Sequence, residues 1–161
     1  MITRDAMAWP VFATYSDAVS LRTQTRRQFI DVTELVAERV RRSGIREGLA
    51  SVQSHHTTTA VVINEDEPLL IGDFDRLLDR LCPAEVPYEH DDLARRRDAM
   101  PDERPNGASH CRSLLLGSSQ TIHVSGGVLR LGRWQRLLLV ELDGPRSRTL
   151  SIVVLGQGGR A

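Results

Sequence analysis

Two apolar runs near the C-terminal end, Arg136 to Leu142 and Thr149 to Leu155, constrain this chain more than any other feature. Nearly continuous apolar stretches of this length read as buried strands, and neither approaches the roughly 20 residues that span a bilayer. Weaker strand signals lie at Trp9 to Tyr15 and Val19 to Gln24. Gly48 to Ser54 and Thr57 to Asn64, rich in β-branched and small residues, read as strands in the middle of a sheet. Gln120 to Val124 and Val128 to Leu131 flank Gly126-Gly127 and read as a hairpin. Helical spacing appears at Val32, Leu35, Val36 and Val40, with Asp31 or Thr33 to cap the start and Gly44 to stop it. A second helix follows Pro68, with Leu70, Phe74, Leu77, Leu78 and Leu81 on one face and Pro83 at its end. The strands lack a βαβ rhythm, so the expected fold class is α+β, a mainly antiparallel sheet with two main helices. The length suits one domain over residues 1–161.

Residues 84 to 109 change character: they are polar and charged, with prolines at 83, 87, 101 and 105 bracketing them and little periodicity. A loop this long in a small domain is uncommon and is usually functional. Leu114 to Leu116 read as a short apolar patch at a helical turn.

Composition removes several function classes. The 21 basic and 21 acidic side chains balance, which gives no broad electrostatic case for nucleic acid or an anionic membrane. No lysine occurs, so Schiff-base chemistry and a phosphate-loop lysine are excluded. Cys82 and Cys111 have neither metal-ligand nor redox spacing. Without a signal-peptide apolar segment at the N-terminus, the expectation is a cytoplasmic protein with no membrane and no nucleic-acid partner.

The candidate functional residues are histidines first. His56, His90 and His110 each lie at the edge of an apolar segment or in a polar loop, and neutral imidazole is a good zinc ligand. No HxxxH spacing joins them, and each has an ordinary alternative. His56 also suits a strand histidine bonded to backbone. His90 lies between acids that either fix its tautomer or are loop charges, and His123 suits the exposed face of the hairpin. Among carboxylates, Asp66 and Glu67 suit the dipole of the following helix. Glu141, inside Leu137 to Leu142, either pairs with an arginine, faces a pocket or lies on a wet face; the pocket is the reading carried forward. Gly117-Ser118-Ser119 and Gly144-Pro145-Arg146 are anion contacts or ordinary turns. Trp134 beside Gln135 offers a flat surface to a planar ring, or packs in the core.

Taken in order, His56-Thr57-Thr58, Ile63-Asn64-Glu65, Tyr88-x-His90, Asn106 to His110, Leu115 to Ser119, Leu131-Gly132-x-Trp134-Gln135 and Glu141 resemble the YjbQ family, often labelled secondary thiamine-phosphate synthase. The resemblance runs from about Trp9 to Gly156. It implies an α+β subunit that forms a homotrimer, with a histidine-lined pocket near subunit boundaries and a metal on His56, His90 and His110. Glu141, Gln135, Asn64 and Glu65 match other recurrent positions. Relatives often carry His where this chain has Ala108, so an additional imidazole is missing here.

The combined expectation is a metal-dependent enzyme acting on a small phosphorylated heterocycle, most simply with thiamine-phosphate synthase activity. Glu141, or else Glu65, would serve as general acid or base. Arg112, Arg146, Ser118 and Ser119 would cradle phosphate, and Asn64, Trp134 and Gln135 would line the substrate pocket. Imidazoles favour zinc over Mg²⁺, which prefers carboxylates. The rivals are a metal-dependent phosphohydrolase and a non-catalytic protein that binds metal or a phosphometabolite.

Overall fold

The computed structural model describes residues 12–97, 100 and 103–158. Its strands form two antiparallel sheets. In the larger, β1 (Phe12–Arg22), β8 (Ser147–Gly158), β3 (Ile45–Ser54), β5 (Ser119–Ser125) and β6 (Val128–Leu129) follow in that spatial order. The smaller places β7 (Arg136–Glu141) between β2 (Gln28–Asp31) and β4 (Thr59–Asn64). Among the described residues there are three α-helices, α1 (Thr33–Ser43), α2 (Pro68–Leu81) and α3 (Gly107–Leu116). The α+β class with mainly antiparallel pairing is therefore as the sequence implies. Among the described residues no helix is long and apolar enough to cross a membrane.

The small sheet is a middle layer. Leu137 and Leu139 of β7 pack with α1 and the large sheet, against Val36, Val40, Ala50, Val52, Leu150 and Ile152. Val140 and the following Leu142 face the other way, with Ala60 and Leu78. Covering both faces requires apolar residues at successive positions, which is why β7 reads as a continuous run. β8 differs, since Leu150, Ile152 and Val154 are buried and the residues between them are not.

Four expectations need correction. β1 is one strand, paired with β8 from Phe12–Gln157 to Arg22–Ser147, where two short strands were read; residues 9–11 lie outside the described residues. β4 is an edge strand of its sheet. Thr57 and Thr58 form a turn before it, so His56 precedes the turn and does not begin the strand. The segment 107–116, read as loop end plus apolar patch, is a single helix.

Local chemistry explains the ends of the helices. Asp31 Oδ1 accepts the Thr33 N–H at 2.8 Å at the start of α1, while the Thr33 hydroxyl accepts from Leu137 N–H and ties that end to β7. Gly44, at φ 66°, supplies the left-handed residue that stops α1. Glu67 caps α2 by accepting from Leu69 and Leu70 N–H.

Candidate functional site

His110 comes from the first turns of α3 and His90 from a 3₁₀ turn, Glu89–Asp91. Asp91 joins the two elements: its Oδ1 accepts the N–H groups of Asn106 and Gly107, each at 2.8 Å. It satisfies two free donors at the start of α3 and sets the rings edge to face, centroids 4.5 Å apart. The acid beside His90 is thus a helix anchor. Ser109 and Ser113 donate to the Leu142 and Thr59 carbonyls, each at 2.7 Å, and fix α3 on the small sheet.

Both rings line a cleft of about 360 Å³ together with Thr57, Thr58, Glu103, Asn106, Asp143 and the guanidiniums of Arg96, Arg146 and Arg148. Burial, then the nearby His90, holds the His110 pKa below the ordinary imidazole value, which leaves His110 neutral at pH 7. Arg96 pairs with Glu103 and holds its carboxyl below the usual range. Glu103 also lies 3.8 Å from His90 Nε2.

Arg148 lines the cleft and is held there by the buried Glu141. Glu141 is 0% exposed. Arg148 Nε and Nη2 donate to its two oxygens, each at 2.6 Å, and Thr23 Oγ1 and the N–H groups of Leu142 and Asp143 donate as well. Burial opposes ionisation, but Arg148 and the N–H donors outweigh it and keep the pKa low. A carboxylate accepting five hydrogen bonds has no lone pair to spare for a substrate proton. Glu141 therefore faces its arginine and not a pocket, and it positions Arg148, whose Nη2 also donates to Thr58. Gly144 must be glycine here: a Cβ would lie 2.4 Å from Thr25 O and 2.8 Å from Glu141 Cγ.

His56 lies elsewhere. Thr149 N–H donates to its Nε2 at 2.8 Å, as a backbone-bonded histidine would. The neutral ring then carries its proton on Nδ1, so neither nitrogen is left to bind a metal. Burial and the Arg148 charge lower its pKa. His56 lines a second cleft with His55, Ser118 and His110. The fold thus sets the His90 and His110 rings against each other in the first cleft, while His56 shares only the second cleft with His110 and has its Nε2 taken by the Thr149 N–H. Among the described residues, no three His, Cys, Asp or Glu side chains are grouped to hold a metal. The three-imidazole set does not fit this arrangement; the His90–His110 pair fits as a partial seat of two soft donors.

The other predicted residues divide. Arg146 lines the first cleft and donates to Asp143 Oδ2 at 3.0 Å. Arg112 is not among the residues lining either cleft: buried, it donates to Cys82 O and Asp79 and ties α3 to α2. Ser118 lines the second cleft, while Ser119 only begins β5. Asn64, Glu65, Trp134 and Gln135 lie at the opposite end of the small sheet, where Asn64 pairs with Arg136; Thr59 pairs with Glu141 at the cleft end. Five residues of strand separate the two ends by roughly 17 Å. There Asn64 Oδ1 accepts its neighbour's N–H, Gln135 closes a turn on Gly132, and Trp134 is 61% exposed beneath Arg133.

Sequence reasoning missed Asp143, Arg148, Arg96 and Glu103. Arg148 carried a signal, since it falls in phase with the buried Leu150, Ile152 and Val154 of β8. A charge in that phase needs a buried partner, and Glu141 was the available one. Asp143 is also buried, held by Arg146 and by Asn106 Nδ2 at 3.2 Å.

Residues 17–157 match the family model described as UPF0047 protein YjbQ-like. A UPF0047 protein from Methanothermobacter thermautotrophicus is 38% identical over 143 residues, covering 89% of this chain and 93% of its own. YugU of Bacillus subtilis is 34% identical, covering 86% and 97%. A crystal structure of a hypothetical protein from Aeropyrum pernix aligns with TM-score 0.79 at 36% identity, covering 89% of this chain and 99% of that one. A YbjQ-like protein of unknown function from Sulfolobus solfataricus aligns with TM-score 0.81 at 29% identity, covering 91% and 100%. With the fold and nearly the full length in common, this chain belongs to the YjbQ-like UPF0047 family.

Proposed function

We propose that this protein is an enzyme acting on a small phosphorylated, heterocyclic substrate in the His90–His110 cleft. Thiamine-phosphate synthase activity, a transferase reaction, is the named candidate that the family resemblance supplies. The observation that carries this reading is that three arginines and two histidines line one cleft, with Glu103 and Asp143 paired to two of the arginines. Guanidinium recognises phosphate through charge-assisted hydrogen bonds, and Arg148 is held in place by its buried carboxylate before any ligand arrives. A neutral, half-buried His110 would serve as general acid–base near pH 7 in a metal-free reaction or as a ligand in a metal-dependent one, and the saturated Glu141 suits neither role.

A divalent metal, zinc in preference to Mg²⁺, would take His90 and His110 as its protein ligands and supply Lewis acidity; its remaining donors would come from substrate or solvent. Glu141 and Glu103, bound to arginines, are poor seats for Mg²⁺. The saturation of Glu141 favours one other reading, a non-catalytic binder of phosphometabolites, while the imidazole pair suits a phosphohydrolase equally well. We place the protein in the cytoplasm, as a homotrimer. Assembly is supported by exposed Leu69, Leu77 and Leu81 on α2 and Leu114 and Leu115 on α3. Asn64, Glu65, Trp134 and Gln135 would take part in the site only as contributions from another copy.

The test is turnover by wild type and His110→Ala protein. One assay supplies the pyrimidine pyrophosphate and thiazole phosphate pair; another supplies a panel of phosphate monoesters. Turnover of either that drops about 100-fold or more in the variant supports an enzyme. Binding with the compounds left intact identifies a binder, and no binding of any of them ends the phosphate reading.

A further inference from the structure

Two clefts meet at His110. The second, of about 530 Å³, opens on the other side of His110 and Thr57, the two residues that line both. Its walls contain no aspartate, glutamate or arginine, in contrast to the first. Several of its polar groups are already engaged. Ser54 bonds Thr59, Ser113 donates to the Thr59 carbonyl, and His56 accepts from Thr149 N–H. The Gln53 amide and the Ser118 hydroxyl are exposed, and no hydrogen bond among the described residues uses either, while Leu114 supplies an apolar edge. An ionised ligand group would find no counter-charge there, whereas an uncharged group with donors and acceptors would find an amide, a hydroxyl and an apolar contact.

We propose that this second cleft is a subsite for the uncharged part of a two-part ligand whose phosphate occupies the arginine cleft. The ligand class is a phosphate monoester of an uncharged, hydrogen-bonding ring. The proposal rests on the phosphate reading of the first cleft and adds what lies beyond it. His110 stands where the two parts join, which is the position from which one imidazole reaches the bond between them. His90, confined to the arginine cleft, touches only the phosphate side.

Calorimetric titration with inorganic phosphate, uridine and uridine 5′-monophosphate tests this. The variants are Gln53→Ala and Leu114→Trp, which fills the second cleft from a side chain 84% exposed in the single subunit. Because Leu114 also lies on the proposed assembly face, the mass of Leu114→Trp is first matched to wild type by light scattering. The expected result is that the nucleotide binds at least 10-fold tighter than inorganic phosphate. That gain is lost in Leu114→Trp, while the affinity for inorganic phosphate stays within twofold. A nucleotide no tighter than phosphate, or a gain that survives both substitutions, overturns the subsite. If inorganic phosphate does not bind, the reading of the arginine cleft fails, and uridine alone decides the second cleft. Saturable uridine binding abolished by Leu114→Trp upholds it, and no uridine binding removes it.

Discussion

Replacing Glu141 with Gln leaves the Arg148 guanidinium buried without its counter-ion, and breaking a buried pair from one side is far costlier than the pair is worth. Glu141→Gln is expected to lose about 3 kcal/mol or more of unfolding free energy by urea denaturation, against less than 1 kcal/mol for neutralising an exposed acid such as Glu34. The pH dependence has a definite sign. The folded pKa of Glu141 is depressed, so its contribution is complete above the unfolded value of about 4.3 and is lost as pH falls through the folded one. His56 and His110 are depressed as well, so the unfolded chain binds protons first and stability falls as pH drops below about 6.5. His110→Asn should flatten that slope between about pH 6.5 and 5 in a denaturation series; an unchanged slope would mean that His110 is not held neutral. At this scale the sequence exposed Glu141 as anomalous but could not say where it pointed. Period-two alternation fixes a residue's face but not its partners: Arg148 donates from the next strand, seven residues on, and Thr23 from 118 residues away in the chain.

Asp91 shows what an element-scale contact does for the site. Its two hydrogen bonds hold the start of α3 and thereby the angle between His90 and His110. Asp91→Ala should cost about 1 kcal/mol, as a lost cap does. It should also speed amide exchange at residues 107–110, with β7 exchange unaffected; equal acceleration in both would show general destabilisation instead. α1 and α2 were legible because their core contacts are Val and Leu at helical spacing. α3 was not, because it buries Gly107, Ala108, Ser109, Arg112 and Ser113 and binds the sheet through serine hydroxyls. A helix that docks by hydrogen bonds has no apolar period to read. β1 was split for a related reason: along an edge strand none of its residues is fully buried, so Ser16-Asp17-Ala18 looks like an interruption.

For the whole molecule, the family signature falls at two ends of one small sheet. His110, Glu141 and the turn after His56 lie at one end, and Asn64, Glu65, Trp134 and Gln135 at the other. No side chain spans that distance, so within one copy the far group cannot touch what binds in the cleft. The proposed homotrimer gives both groups a single purpose if the far end of one copy meets the cleft end of the next. The subunit is 18.0 kDa, so light scattering should report three times 18.0, about 54 kDa. The pairing itself is tested by mixing. His110→Ala and Trp134→Ala proteins, each inactive alone, are unfolded together and refolded. Copies of the two variants then form some boundaries carrying both intact residues, and a measurable fraction of turnover should return. If the Trp134 variant keeps full activity, or a mass of 18 kDa is found, the far group serves only its own turn. Recovery on mixing requires a site built from two copies, since neither chain alone holds both intact halves.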